Sequence, residues 1–474
     1  MTVPDCAFAP KSIAVVGASP NPDSRTTRNF LQPLLWSGCR ARVYPVNPRA
    51  GEIMGLRAYP SITAIPELVD YVICGVPAAA VPAVARDCAL GRARVLAIFS
   101  AGFSETGEEP GISLEREIVD IASRGGVRVI GPNCLGVHSP AAGVFLEIDI
   151  PPKSGQVSFL SQSGGYARQF IVAAAEREVF LNKLVSYGNA ADLNEADFLE
   201  YFGADGGTAT IAAYVEGVRE PRRFLRALRQ ASAAKPVVIM KGGNTEAGRQ
   251  ATASHTASIS GSRQAWAALC RQMGVMQAGD LDEMTDIIQA FELLRRPRGR
   301  RIGIVGIGGG VSVMAADDCE NAGLVVPSFP AALRWELGSF TSIAGTSLRN
   351  PVDTSAEVYW DEAAFARTID LVARWDGIDI LFIILNAVAT IRRGVDTLSR
   401  QGEAVVEAAG RTDKPVAIVI IAGGIEKAEN MAVVVGRQCA KAGFPVFPSC
   451  SRAARATNQV IRYHEGRGTG LPSA

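Results

Sequence analysis

Short apolar runs that end in Gly or Pro recur along the chain, each followed by a stretch of amphipathic, helix-like composition. That alternation predicts parallel α/β architecture. SIAVVG (12–17), ARVYPV (41–46), YVICGV (71–76), VLAIFS (95–100) and VRVIG (127–131) make a first unit, a Rossmann-type domain over 1–145. IPPKSG (150–155), with two prolines and a glycine, punctuates the chain before a second α/β unit over 150–294. Its strands are VSFLSQ, KLVSYG, TIAAYVEG and PVVIMKGG, and KPVVIM lacks the alternation of a half-buried strand, as a parallel-sheet interior requires. RRPRGRR (295–301) reads first as a solvated linker and only weakly as a phosphate patch. Beyond it RIGIVGIGGG, ILFIILN, PVAIVIIAGG and FPVF build a third α/β unit over 298–466, followed by a polar tail, 467–474.

Composition narrows the function classes. Forty-eight basic and 47 acidic side chains nearly cancel, so no global field draws the chain to nucleic acid or to an anionic membrane, and any anion site is local. No apolar run reaches the roughly 20 residues of a spanning helix. Met1 to Pro10 lacks a charged-then-apolar signal pattern, and the expectation is a soluble cytoplasmic protein. The nine cysteines stand singly, without CxxC pairs, and read as reduced core thiols. Three histidines, His138, His255 and His464, show no zinc-ligand spacing, so no metal is expected on this chain.

Three local motifs carry chemistry. The first Gly-rich turn, VVGASPNPDS, follows a strand and precedes a candidate helix, where backbone N–H groups favour a phosphate. It lacks the second and third glycines of a dinucleotide fingerprint, and the second strand ends in Asn47, Pro48 and Arg49 in place of the acid that would hold ribose hydroxyls. An amide, a rigid turn and a cation suit a phosphorylated adenosine better, while a plain tight connection explains the turn equally well. The second turn, LSQSGGYARQF, sets Ser161, Gln162 and Ser163 before Gly164 and Gly165, a candidate anion cradle in which Ser163 also suits an N-cap. The third is His255 in GRQATASHTASISGS, a loop of small polar residues that leaves room for a ligand. A nucleophilic imidazole needs an acceptor on its other nitrogen. Glu216, at the end of the apolar strand IAAYVE, is the candidate for that acceptor, although a strand-end charge can equally face water.

Together these segments resemble the alpha subunit of ADP-forming acetyl-CoA synthetases, in the succinyl-CoA synthetase superfamily, over nearly the whole chain. The first domain is similar to the family's CoA-binding domain through GAS, YPVNPR, Val76-Pro77, SAGFSETG and GPNCLG. The second resembles its CoA-ligase domain through GQVSFLSQSGG, SYGNAADLNEADFLEYF, AYVEG and KGGNTEAGRQATASHTASISG. The third resembles the extra α/β domain of the acyl-CoA synthetase branch through IGGGVSVMAADDCENAGL and RNPVD. The fold this implies is a Rossmann-type CoA-binding domain followed by two flavodoxin-like α/β domains.

By the same resemblance, His255 matches the phosphorylated histidine, Glu216 the carboxylate that orients it, and Ser163 and Gly164 the helix start that binds its phosphate. Gly17, Ala18 and Ser19 match the first CoA turn and Asn47, Pro48 and Arg49 the second, with Val76, Pro77 and Ser100 along the route to Asn133. The implied reaction is a reversible relay through acyl phosphate and phosphohistidine. Its partners would be CoA, a small or aromatic carboxylic acid, and an ATP-grasp beta subunit in an α2β2 assembly, with nucleotide and Mg2+ on that subunit. Neither an ATP-grasp match nor a Walker A motif is found in this sequence. Three positions depart from the family's pattern: Ala257 where SHTG has Gly, Gly165-Tyr166 after QSG, and Thr27 beside the first turn. Two other classes stay open, a non-catalytic CoA-binding regulator and a nicotinamide-dependent oxidoreductase.

Overall fold

The computed structural model describes residues 3–146, 150–256, 263–341, 347–354, 356–391 and 393–468. The chain forms two compact units, one of Met1–Ala175 with Phe180–Met284 and the other of Glu176–Val179 with Thr285–Ala474. The first unit holds two of the three large sheets and the second unit holds the third.

In the first sheet five parallel strands stand in the order Arg42–Val46, Ser12–Val16, Tyr71–Cys74, Val95–Ile98, Arg128–Ile130. The chain reverses its direction of growth between Ser12–Val16 and Tyr71–Cys74, and ligand crevices of open α/β sheets lie at such a reversal, beyond the strand C-termini. The burial pattern of Ser12–Val16 is unbroken because helices cover both faces.

The second sheet runs Met276–Ala278, Val237–Lys241, Thr210–Val215, Val157–Ser161, Leu181–Ser186, Gly136–His138. Its last strand is antiparallel and lies before the boundary expected near 145, so the segment that leaves the first sheet continues straight into the second. Gly188 is where the loop after Leu181–Ser186 meets the loop after Arg128–Ile130: its φ is +52°, and a Cβ there would lie 2.2 Å from the Pro132 carbonyl oxygen. Only a glycine permits that approach. His138, in this antiparallel strand, is a core histidine whose Nδ1 accepts from the Leu146 N–H at 3.2 Å, and burial pushes it down to about 3.

The third sheet repeats the strand order of the first, Val352–Asp353, Ile302–Gly306, Ile380–Asn386, Val416–Ile421, Val446–Phe447. Alternate residues of its strands feed opposite cores. Ile302, Ile304, Phe382 and Ile384 pack with Val460 and Ile461, while Val305, Leu381, Ile383 and Leu385 pack with Phe365 and Val405. Both faces are dry, which is why ILFIILN has no polar alternation, and each such side chain contributes about 1.5–3 kcal/mol of burial.

The basic run at 295–301 is largely exposed, as a solvated linker is, but several of its arginines are paired. Arg300 pairs with Glu465 and with Asn458 at 2.7 Å, Arg301 pairs with Asp379 at 2.7 Å, and Arg295 donates to the Thr412 carbonyl at 2.6 Å. The last helix extends to Gly468, so the first two residues of the expected tail are helical.

Candidate functional site

A cavity of about 770 Å³ opens in the first unit, lined by residues of both of its sheets. From the first sheet come Val76, Pro77, Ser100 and Asn133, all expected along the CoA route. Ser100 donates its hydroxyl to the Val76 carbonyl, and the Asn133 N–H donates to the Ser100 carbonyl at 3.0 Å. Asn133 adopts φ +57°, a left-handed conformation that asparagine tolerates better than most side chains. From the second sheet come Gln162, Ser163, Gly164 and Gly165.

The helix Gly164–Glu176 starts at this cavity. Its first N–H groups have no partner within the helix, and the helix dipole adds positive potential at that end. Ser163 is also the cap, since the Tyr166 N–H donates to its Oγ at 3.3 Å. The cradle and cap readings are therefore compatible in one residue.

Glu216 follows the strand Thr210–Val215 and is 6 % exposed. The Gln162 side-chain oxygen accepts from the backbone N–H of Glu216 at 2.5 Å and of Gly217 at 3.0 Å. One amide thus joins the cavity wall to the glutamate's backbone. The Tyr214 hydroxyl donates to Glu216 Oε1 at 3.1 Å, and Tyr166 lies on the Tyr214 ring with centroids 4.4 Å apart. Burial, and then the Glu216 carboxylate, hold the Tyr214 phenol well above its ordinary range, so it stays a donor. Tyr166, the departure after QSG, accordingly packs on the tyrosine that holds Glu216.

His255 lies in the last turn of the helix Glu246–Thr256, and not in a loop as its small polar neighbours suggested. Its backbone is described and its side chain is not; Ala257 lies outside the described residues. The same helix runs beside the turn Ser104–Thr106 of SAGFSETG. Glu105 and Glu115 fix that turn: Glu105 Oε1 accepts from the Gly102 N–H at 2.5 Å, and Glu115 Oε2 from the Ser104 hydroxyl at 2.7 Å.

Gly17, Ala18, Ser19, Asn47, Pro48 and Arg49 do not line the cavity. They form a neighbouring cluster at the ends of the first two strands. Asn47 Nδ2 donates to the Ala18 carbonyl at 2.8 Å and its Oδ1 accepts from the Arg49 N–H at 2.8 Å. Gly17 has φ +90°, and a Cβ there would stand 3.0 Å from the Gly75 carbonyl oxygen on the cavity wall. Thr27, the third departure, closes the first turn, because its hydroxyl accepts from the Ser19 N–H at 2.9 Å and donates to the Ser19 carbonyl at 3.0 Å.

Residues 11–140 match the model of a CoA binding domain, and residues 154–291 that of a succinyl-CoA ligase like flavodoxin domain. The chain is 33 % identical to the alpha subunit of Acetate–CoA ligase [ADP-forming] II of Pyrococcus furiosus, over 98 % of this chain and 99 % of that one. The chain belongs to the ADP-forming acetate–CoA ligase family, whose members are acid–thiol ligases. It spans 63 % of the length of a second relative, Acetate–CoA ligase [ADP-forming] I of Archaeoglobus fulgidus, with 35 % identity over 96 % of this chain. Relatives named as alpha subunits imply a partner subunit. The fold is similar to that of the acetyl-coenzyme A synthetase 1 of Ca. Korarchaeum cryptofilum, solved with phosphate and ADP: TM-score 0.84, 28 % identity, all of both chains covered.

Against this family background, motif reading missed the cations of the cavity. Arg25, Arg28 and Arg168 all line it, and the Arg25 guanidinium lies 4.8 Å from the Phe99 ring centroid. A signal existed in the sequence: Arg25 and Arg28 follow the first turn three residues apart, and Arg168 comes one helical turn after Gly164. Cys134 also lines the cavity, but burial pushes its thiol up to about 12. It is not a nucleophile at neutral pH. Among the described residues no group of three or more His, Cys, Asp or Glu is arranged to hold a metal, and no helix is long and apolar enough to cross a membrane.

Proposed function

We propose that this chain is the CoA-binding, phosphohistidine-carrying subunit of an NDP-forming acyl-CoA synthetase. The observation that carries the reading is the single cavity that joins Val76, Pro77, Ser100 and Asn133 to the helix start at Ser163 and Gly164, with Gln162 bonded onward to the Glu216 backbone. CoA enters with its phosphoadenosine end at Asn47, Pro48 and Arg49, passes Gly17, Ala18 and Ser19, and brings its thioester toward Asn133.

In the first step a phosphate oxygen attacks the thioester carbonyl, the C–S bond breaks, and CoA leaves as acyl phosphate forms. A ring nitrogen of His255 then attacks phosphorus, the P–O bond to the acyl group breaks, and the carboxylate departs. In the third step a terminal oxygen of the nucleoside diphosphate attacks the phosphohistidine, the N–P bond breaks, and the triphosphate forms with a free imidazole. Glu216 orients the ring and offsets the positive charge it carries in transit. The Gly164 helix start and the cavity arginines supply fixed positive potential for the phosphoryl oxygens. Each step is reversible. Nucleotide and Mg2+ are assigned to an ATP-grasp beta chain, in an α2β2 assembly working in the cytoplasm.

Co-expression with an ATP-grasp partner and a screen of small and aromatic carboxylic acids tests the reading. CoA-dependent ADP formation with both chains, and none with either alone, is the expected result. Turnover unaffected by removing this chain overturns it, as does NADH binding the first domain more tightly than CoA in calorimetry.

A further inference from the structure

Lys241 ends the strand Val237–Lys241, next to the strand that delivers Glu216, and is only 8 % exposed. An ammonium so buried is costly unless its protons are used. Here they are: Nζ donates to the Glu216 backbone carbonyl at 2.7 Å and to the Gly242 carbonyl. Its neighbour Gly242 packs directly on the Glu216 side chain, since a Cβ there would stand 3.2 Å from Glu216 Cγ and 2.8 Å from the Tyr214 hydroxyl. Lys241, Glu216 and Tyr214 therefore form one group where two adjacent strands end, with Gln162 holding the same Glu216 peptide from the cavity side.

We propose that Lys241 is a positioning residue of the phosphoryl relay: its ammonium clamps the Glu216 peptide and keeps that carboxylate aimed, so the histidine step requires the positive charge on Lys241. The inference rests on the phosphohistidine reading above and deepens it. Among charged groups, Glu216 faces the ammonium from the adjacent strand, and its charge acts on Lys241. The helix Arg263–Gln272 contributes the Trp266 ring, 5.9 Å from Nζ, while its own Arg263 and Arg271 are exposed. On the helix Glu246–Thr256, Glu246 and Arg249 are spent on each other as an ion pair.

Burial lowers Lys241 to about 8, opposed in part by Glu216. A lowered lysine is protonated below that value and loses its charge as pH rises through it. The dependence on the ammonium therefore falls inside the working range, where an ordinary lysine near 10.4 would show nothing.

The test is the initial rate at which the full chain acquires acid-labile label from acetyl [32P]phosphate between pH 6.5 and 9.5, for wild type, Lys241→Arg and Lys241→Met. CoA affinity by calorimetry reports that each variant is folded. Wild type is expected to lose rate above pH 8, roughly tenfold per unit. Lys241→Arg keeps its charge and moves that limb beyond the range measured, with CoA affinity unchanged. Lys241→Met is roughly tenfold or more slower at pH 7 and shows no limb. A limb near pH 8 that persists in the arginine variant overturns the inference while leaving the phosphohistidine intact. A wild-type chain that takes no label from acetyl phosphate, and none from γ-labelled ATP in the presence of the partner, overturns both.

Discussion

The five parallel strands of the second sheet have the same order as those of the third, and both sheets put a Gly-rich turn and a helix at the same place, yet they treat that helix start in opposite ways. In the second sheet Gly164 and Gly165 open onto the cavity, and the carboxylate nearby, Glu216, is held off by Tyr214 and by Gln162 through its backbone. In the third sheet the turn before the helix Gly309–Asn321 is filled from within: Asp353, 6 % exposed, accepts the Gly308 N–H at 2.6 Å. The protein supplies its own anion there. A doubly wound sheet offers a phosphate site at its reversal point, and one side chain on the neighbouring strand decides whether the site is offered to a ligand or closed. Architecture alone does not locate the chemistry.

The sharpest break of the comparison is His255→Asn. It should abolish acid-labile, base-stable labelling and reduce ligase turnover on the order of 10³-fold or more, with CoA affinity nearly unchanged. Glu216→Gln keeps the Tyr214 contact but loses the charge, and should slow labelling roughly 10²-fold with an unchanged melting temperature. Arg49→Ala should weaken CoA about tenfold and dephospho-CoA less, as calorimetry with both ligands would register. Asp353→Ala should cost stability, about 1–3 kcal/mol by denaturant titration, and leave the initial labelling rate unchanged. Loss of labelling in that variant without loss of stability would show that the closed site shares in the relay.

The three sheets were legible because their strands are uninterrupted apolar runs bounded by Gly and Pro, as in PVAIVIIAGG and KPVVIMKGG. Less legible was what happens where those runs stop. Gly136–His138 joins the ligase sheet through only three antiparallel pairs, too short a signal for periodicity. The residues about His255 are small and polar like a loop, but EAGRQATASHT contains enough Ala, Glu, Gln and Arg to carry a helix through it. The acids that RRPRGRR pairs with, Asp379, Asp413 and Glu465, come from elements far along the chain. Arg25 and Arg28 fall outside the Gly-rich motifs and Arg168 stands near the end of LSQSGGYARQF, and only the fold brings the three to one cavity. Lys241 was visible as the first letter of KGG, but nothing in the sequence says that its ammonium reaches the Glu216 carbonyl.

The most direct measurement is the site and identity of the phosphorylated residue. The complex with an ATP-grasp partner would be incubated with γ-labelled ATP, or with acyl-CoA and labelled inorganic phosphate, then digested under alkaline conditions and sequenced by mass spectrometry. Both routes should place a single phosphoryl group on His255, and addition of ADP should remove it as ATP forms. Label on any other residue, or full turnover with His255 never phosphorylated, would contradict the account.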